Sequence, residues 1–207
     1  MRYIPWVSSR PDDWSTRYSV LATARRTAAL VNVLADERST PGDVAGVLRA
    51  HGETDPLDLH TDDVAAMRSA AALLRRVFAA EHVDEAAAVL NGLLREGTGP
   101  LRLTAHGGGT PWHPHLDPHD DAPWAEWFLA SSCMALAVLV WDHQRPPGRI
   151  CASSGCPDVF VTRGSGPERR YCSRRCATRE RVAAHRRARA VQTVPADDGG
   201  VRNPYRP

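Results

Sequence analysis

Apolar residues recur every three to four positions through most of the first 143 residues, the spacing of helices that bury one face. From Ser15 the series Tyr18, Leu21, Ala24, Ala28, Val31 and Ala35 predicts the first such helix. Thr40-Pro41-Gly42-Asp43 is a start signal, a hydroxyl cap followed by proline at the first helical position. The short helix it opens carries Val44, Val47 and Leu48 and ends at Gly52. Thr61 is expected to cap a third helix, with Asp62 and Asp63 at its positive end and Val64, Met67, Ala71, Leu74 and Phe78 as its stripe. A fourth runs on from Asp84 through Val89, Leu90, Leu93 and Leu94 to Gly97.

The period then shortens. Leu101 to Ala105 alternates as a strand, Gly107-Gly108-Gly109 permits a reversal, and Thr110 to Leu116 can return as the partner. From about Asp121 and Pro123 a further helix carries Trp127, Leu129, Met134, Leu136, Val138, Leu139 and Trp141. It is apolar almost all round, so it should be the central helix that the others wrap. Its apolar run from Trp127 to Trp141 falls short of the roughly 20 residues of a membrane span. Arg145-Pro146-Pro147-Gly148 reads as a stiff connector, residues 1–14 as an irregular lead-in whose tryptophans pack back on the domain, and residues 193–207 as a disordered tail. The expected fold is mainly α with one small β-hairpin over 15–145, followed by a small domain over 149–190 with its own hairpin and a basic C-terminal helix.

Charge separates the same two regions. Residues 1–148 hold 13 Arg against 19 acidic residues, a balance of −6, whereas residues 149–190 hold 11 Arg against 3, a balance of +8. An acidic body with a basic end is the asymmetry expected when that end meets a polyanion. Met1 to Ser9 has no apolar run of the length a secretory signal needs, so a cytoplasmic, reducing setting is expected.

Four of the five cysteines lie in the basic region, as Cys151-x4-Cys156 and Cys172-x3-Cys176. Two such pairs offer the tetrahedral sulfur shell that Zn2+ prefers, with a spacer long enough for a hairpin between them. One zinc ion per chain is expected. Around these ligands Cys151-Ala152, Arg170-Tyr171-Cys172-Ser173, Cys176 followed at the third place by Arg179, and the run Ala184-His185-Arg186-Arg187 resemble the bacterial CGNR zinc-finger proteins. In that family the finger follows a mostly helical domain of the ABATE type. This chain has Cys176-Ala177-Thr178-Arg179 where the family name has Cys-Gly-Asn-Arg, so ligand and arginine are kept and the middle two residues are not.

The resemblance implies a stress-linked transcription regulator that binds DNA. The residues lead the same way: a zinc-fixed helix bearing Arg175, Arg179, Arg186 and Arg187 would lie in or along a groove, while Arg163, Arg169, Arg170 and Arg174 reach phosphates alongside. The helical region would then be a sensor or dimerisation unit, with a homodimer supplying the second DNA-contacting module. A zinc-stabilised protein-interaction module without nucleic-acid binding is the alternative reading. RNA is a weaker variant, because only Phe160 and Tyr171 are available in the finger as stacking rings.

The remaining chemistry is sparse. His106, His113, His115 and His119 cluster around the first hairpin, where His113 and His115 would share one strand face and Asp117, Asp120 or Asp121 could complete a metal shell. Surface histidines beside a turn are the default expectation. Cys133 reads as a buried small hydrophobe. The triple glycine lacks the Lys-Ser/Thr of a phosphate loop, and neither a Gly-x-Ser-x-Gly nor a His-Glu-x-x-His motif occurs, so the chain reads as a non-enzyme.

Overall fold

A computed structural model of the chain describes residues 16–162 and 169–192. The lead-in over 1–14, the tail over 193–207 and Arg163 therefore lie outside the described residues. Five helices come first: α1 (Thr16–Leu34), α2 (Pro41–Ala50), α3 (Thr61–Ala79), α4 (Val83–Glu96) and, after the strands β1 (Arg102–Thr104) and β2 (His113–His115), α5 (Trp124–His143). The strands β3 (Gly148–Ile150) and β4 (Val159–Val161) follow, and α6 (Arg174–Gln192) ends the described chain. Both strand pairs are antiparallel two-stranded sheets.

The fold is mainly α with small hairpins, and α5 is its axis. That helix packs against α3, α1 and α4, which cover its apolar circumference on several sides, while Trp141 near its end stays 77 % exposed. Leu30 and Leu34 of α1, Leu48 of α2, Met67, Leu74 and Phe78 of α3, and Phe128 and Leu136 of α5 are all fully buried in one cluster. Two of the helix starts are set by aspartate side chains. Thr40 and Asp43 form a reciprocal cap at α2, the Asp43 carboxylate accepting from the Thr40 N–H at 2.9 Å. At α3 the capping residue is His60 rather than Thr61, which is already helical. The Asp63 carboxylate accepts from the His60 N–H at 2.9 Å.

One buried ion pair interrupts the apolar core. Arg26 of α1 donates to Glu53 and stacks 4.4 Å over the ring of Trp127, and both charges are almost wholly enclosed. Burial lowers the Arg26 pKa while the Glu53 carboxylate opposes that shift.

The first hairpin alternates as its sequence requires, with its polar face inward. Leu101 and Leu103 are 65 % and 64 % exposed, whereas Thr104 is buried and Arg102 half-buried. The reversal is a single 3-10 turn at His106–Gly108 in which His106 itself takes a positive φ of 47°.

The second hairpin is fastened to the helical body. Residue 148 already belongs to β3, so the proline connector leads straight into a strand that packs on α3, while β4 packs on α1. Val159 is 1 % exposed and joins the helical core. In the last turn of α1, the Asn32 side chain mimics a strand edge. Its Nδ2 donates to the Val159 carbonyl at 2.9 Å and its Oδ1 accepts from the Val159 N–H at 2.7 Å. A Cβ at Gly148 would lie 2.4 Å from the Phe160 carbonyl oxygen and 2.5 Å from the Phe78 ring, so the approach requires glycine.

Asn32→Ala leaves both Val159 backbone groups without partners. It should cost about 2 kcal/mol, seen as a lower urea midpoint of the zinc-loaded protein with the slope unchanged. An unchanged midpoint would mean that the anchor contributes nothing.

Candidate metal centre and nucleic-acid interface

The β3–β4 hairpin carries the first two thiols at its open end. Cys151 follows β3 directly, and its N–H still donates to the Asp158 carbonyl at 2.8 Å, extending the ladder by one rung. The chain then turns through Gly155, whose φ is 90°, to bring Cys156 back beside it. Cys172 and Cys176 lie at the start of α6, where the Ser173 hydroxyl accepts from the Cys176 N–H at 3.2 Å in the manner of an N-cap. The Cys172 N–H points at the Cys151 sulfur, 3.4 Å away.

The four ligand sulfurs all lie within 4.8 Å of one another, with Cys156 to Cys172 and Cys172 to Cys176 both at 3.6 Å. Zn–S bonds of about 2.3 Å in a tetrahedron separate sulfurs by about 3.8 Å. The donor set therefore fits one zinc ion. Without an ion, two of the four thiols hold their protons firmly. Burial pushes Cys156 up to about 11 and Cys172 further, while the Ser173 hydroxyl and neighbouring thiols draw Cys176 down to about 7. Cys156 and Cys172 direct their S–H groups at the Asp158 carboxylate, at 3.4 and 3.7 Å.

Two further groups brace the centre: Glu180, which does not stand out in the sequence, and Arg169, expected there as a phosphate contact. Glu180 of α6 accepts from the Ser153 hydroxyl and the Ser154 N–H, both at 2.9 Å, so the helix is tied to the first cysteine turn. Those bonds hold its carboxyl below the usual range. Arg169 donates to the carbonyls of Tyr171 and Cys172 and lies over the Phe160 ring, which turns this expected phosphate contact partly inward. Its exposed remainder can still face solvent.

The region from residue 20 to residue 143 matches a family model, ABATE, described as "Putative stress-induced transcription regulator". The chain belongs to the ABATE family. Residues 148–189 match the CGNR zinc finger, in the order seen in the fold. No curated protein matches the chain at a significant level. Neither ABATE nor the CGNR finger is described as an enzyme. Where the finger's name has glycine and asparagine, this ABATE protein places half-buried Ala177 and exposed Thr178 in the first turns of α6.

Most arginines singled out in the sequence come together on α6. Arg174, Arg175, Arg179, Arg186 and Arg187 are all exposed, and Arg170, also exposed, lies in the turn before them with its guanidinium 5.7 Å over the Tyr171 ring. Cys176, Ala177, Glu180 and Ala183 form the inner face of the helix. Arg175, Arg179, Val182, Arg186 and Arg189 follow at spacings of four and three, so they form one stripe away from it. Arg187 lies off this stripe. Among the described residues no carboxylate comes within ion-pair distance of Arg174, Arg175, Arg179, Arg186 or Arg187.

Zinc binding must expel the protons that the crowded thiols carry. Titrating the metal-free protein with Zn2+ near neutral pH should release roughly three protons per ion, and affinity should rise between pH 6 and 8. Calorimetry in buffers of different ionisation enthalpy reads this directly. Cys172→Ser should abolish tight zinc binding and melt the 19-residue α6 while α1 to α5 stay helical.

Proposed function

We propose that the protein is a DNA-binding transcription regulator in which Cys151, Cys156, Cys172 and Cys176 ligate one zinc ion and so fix α6 for contact with the duplex. The observation that carries this reading is the arginine stripe. Four guanidinium groups on one face of a helix, beginning at the metal centre and left without carboxylate partners at Arg175, Arg179 and Arg186, form a line of charge suited to a phosphate backbone or groove. Arg170, Arg174 and Arg187 would contact phosphates beside it. The ABATE description supports the regulator role and its link to stress.

In the rival reading, a zinc-stabilised protein-interaction module, the basic helix docks on an acidic partner or on the chain's own acidic helices; the second form loses support because these arginines stand clear of the body's carboxylates. RNA stacking is also poorly served, since Phe160 is buried and Tyr171 half-buried. One finger covers little DNA, so the reading includes a homodimer joined through the helical region, acting in the reducing cytoplasm.

Mobility shifts of random duplex DNA at low salt test the proposal. If about six phosphates are neutralised, log affinity should fall with log salt at a slope near −5. Replacing Arg175, Arg179 and Arg186 by alanine should bring that slope up by about three. A flat salt response, or no binding by zinc-loaded protein, would overturn the reading.

A further inference from the structure

The first hairpin holds a second cluster, on the helical body, that the zinc finger does not use. Because β1 turns its leucines outward, Arg102, Thr104 and then His106 face inward against β2. The strand register sets Arg102 opposite His115 and Thr104 opposite His113. His106 is buried and His113 and His115 are half-buried, so the expectation of surface histidines fails for these three. The reason is the inverted strand face. His119 alone behaves as expected, exposed and 2.8 Å from Asp121.

The three rings converge tip to tip. Their centroids are 4.8 to 5.0 Å apart in every pair, and Nε2 of His113 lies 3.2 Å from Nε2 of His106 and 3.0 Å from Nε2 of His115. The opposite ring nitrogens determine what those tips present. His113 Nδ1 is 2.8 Å from the Pro111 carbonyl oxygen, which can only accept. Nδ1 therefore carries the proton, and Nε2 of the neutral ring offers a lone pair. His115 Nδ1 is 2.9 Å from both carboxylate oxygens of Asp117, which is 3 % exposed, with the same consequence. His106 Nδ1 lies 3.2 Å from an Asp120 oxygen, outside the angle of a hydrogen bond, and has no other partner. Arg102 links the two carboxylates, with Nη2 at 2.6 Å from Asp117 and 2.8 Å from Asp120.

Lone pairs that face each other at such distances repel unless something positive lies between them. A shared proton bridges two nitrogens, whereas a metal cation can reach all three. Zn–N bonds of about 2.0–2.1 Å separate tetrahedral nitrogens by about 3.3 Å. Carboxylate or carbonyl partners on the far ring nitrogens are the supports that orient imidazoles toward an ion.

We propose that Nε2 of His106, His113 and His115 bind one divalent first-row transition-metal ion, with zinc the first expected occupant, in addition to the ion of the finger. No fourth Cys, Asp, Glu or His ligand joins this set among the described residues. A coordination position is therefore left for water or a small ligand, as in three-histidine sites that stay open. Asp117 is a positioning residue that acts through His115.

The test uses the full-length, untagged, metal-free chain titrated with Co2+ and then Zn2+, with metal counted after gel filtration. Two equivalents are expected, one showing thiolate-to-cobalt charge transfer and one showing ligand-field bands alone. His113→Gln with His115→Gln should drop the count to one and leave the thiolate band unchanged. Cys172→Ser should remove that band and keep the other equivalent. Should the double variant fail to fold, Asp117→Asn provides the reading, weakening only the second equivalent by about 10- to 100-fold. Saturation at one equivalent with thiolate bands, or two equivalents retained by the folded histidine variant, would overturn the proposal. So would Asp117→Asn binding both equivalents as tightly as the unmodified chain. The cobalt spectra keep this outcome separate from any failure of DNA binding.

Discussion

The arrangement of the whole chain depends on one strand entering a core it did not build. β4 brings Val159 into the apolar cluster of α1, α3 and α5, and the backbone groups of that same residue are satisfied by the Asn32 amide. Burying a strand edge against a helix would ordinarily leave an N–H and a carbonyl without partners, at a cost comparable to the burial gained. The asparagine removes that cost, Gly148 lets β3 close on Phe78, and Arg75 holds the Pro157 carbonyl at 2.7 Å. The finger is therefore a continuation of the helical body, and its cysteines start from a fixed base.

From that base the order of α6 follows by steps. The hairpin places Cys151 and Cys156, the Ser173 cap places Cys172 and Cys176 at a helix start, and Glu180 ties the second turn of that helix back to Ser153 and Ser154. Among the described residues no helix of the body packs extensively against α6. A helix with so little apolar contact is marginal in water alone, so the thiol cluster and its ion supply what packing supplies elsewhere. That also explains why arginines crowd it: a helix held by its first turns leaves its remaining surface free for charge.

Much of this was legible in the sequence because it depends on local periods. The stripes of α1 to α4, the all-round apolarity of α5 and the paired cysteines each declare themselves within a short window. Asn32 and the inner face of β1 did not. An alternating strand defines two faces without saying which turns inward, and here the choice lies with Arg102, Asp117 and Asp120, whose mutual contacts span 15 residues or more. Asn32 and Val159 are 127 positions apart, and nothing local marks an asparagine as a strand partner. The His60 cap was missed for a smaller reason: Thr61 has the stronger capping preference, but the Asp63 carboxylate reaches the His60 N–H.

The inverted face of β1 also separates the two clusters of donor atoms in kind. In the finger, four thiols are brought together by turns, and burial keeps protons on Cys156 and Cys172 until a cation displaces them. In the first hairpin, the Pro111 carbonyl and the Asp117 carboxylate face Nδ1 of two rings, so that Nε2 of each points into the cluster. Neutral imidazole nitrogens lose no proton on coordination, whereas thiols must. An ion at the histidines would therefore be held by neutral nitrogen donors and one at the cysteines by anionic sulfur.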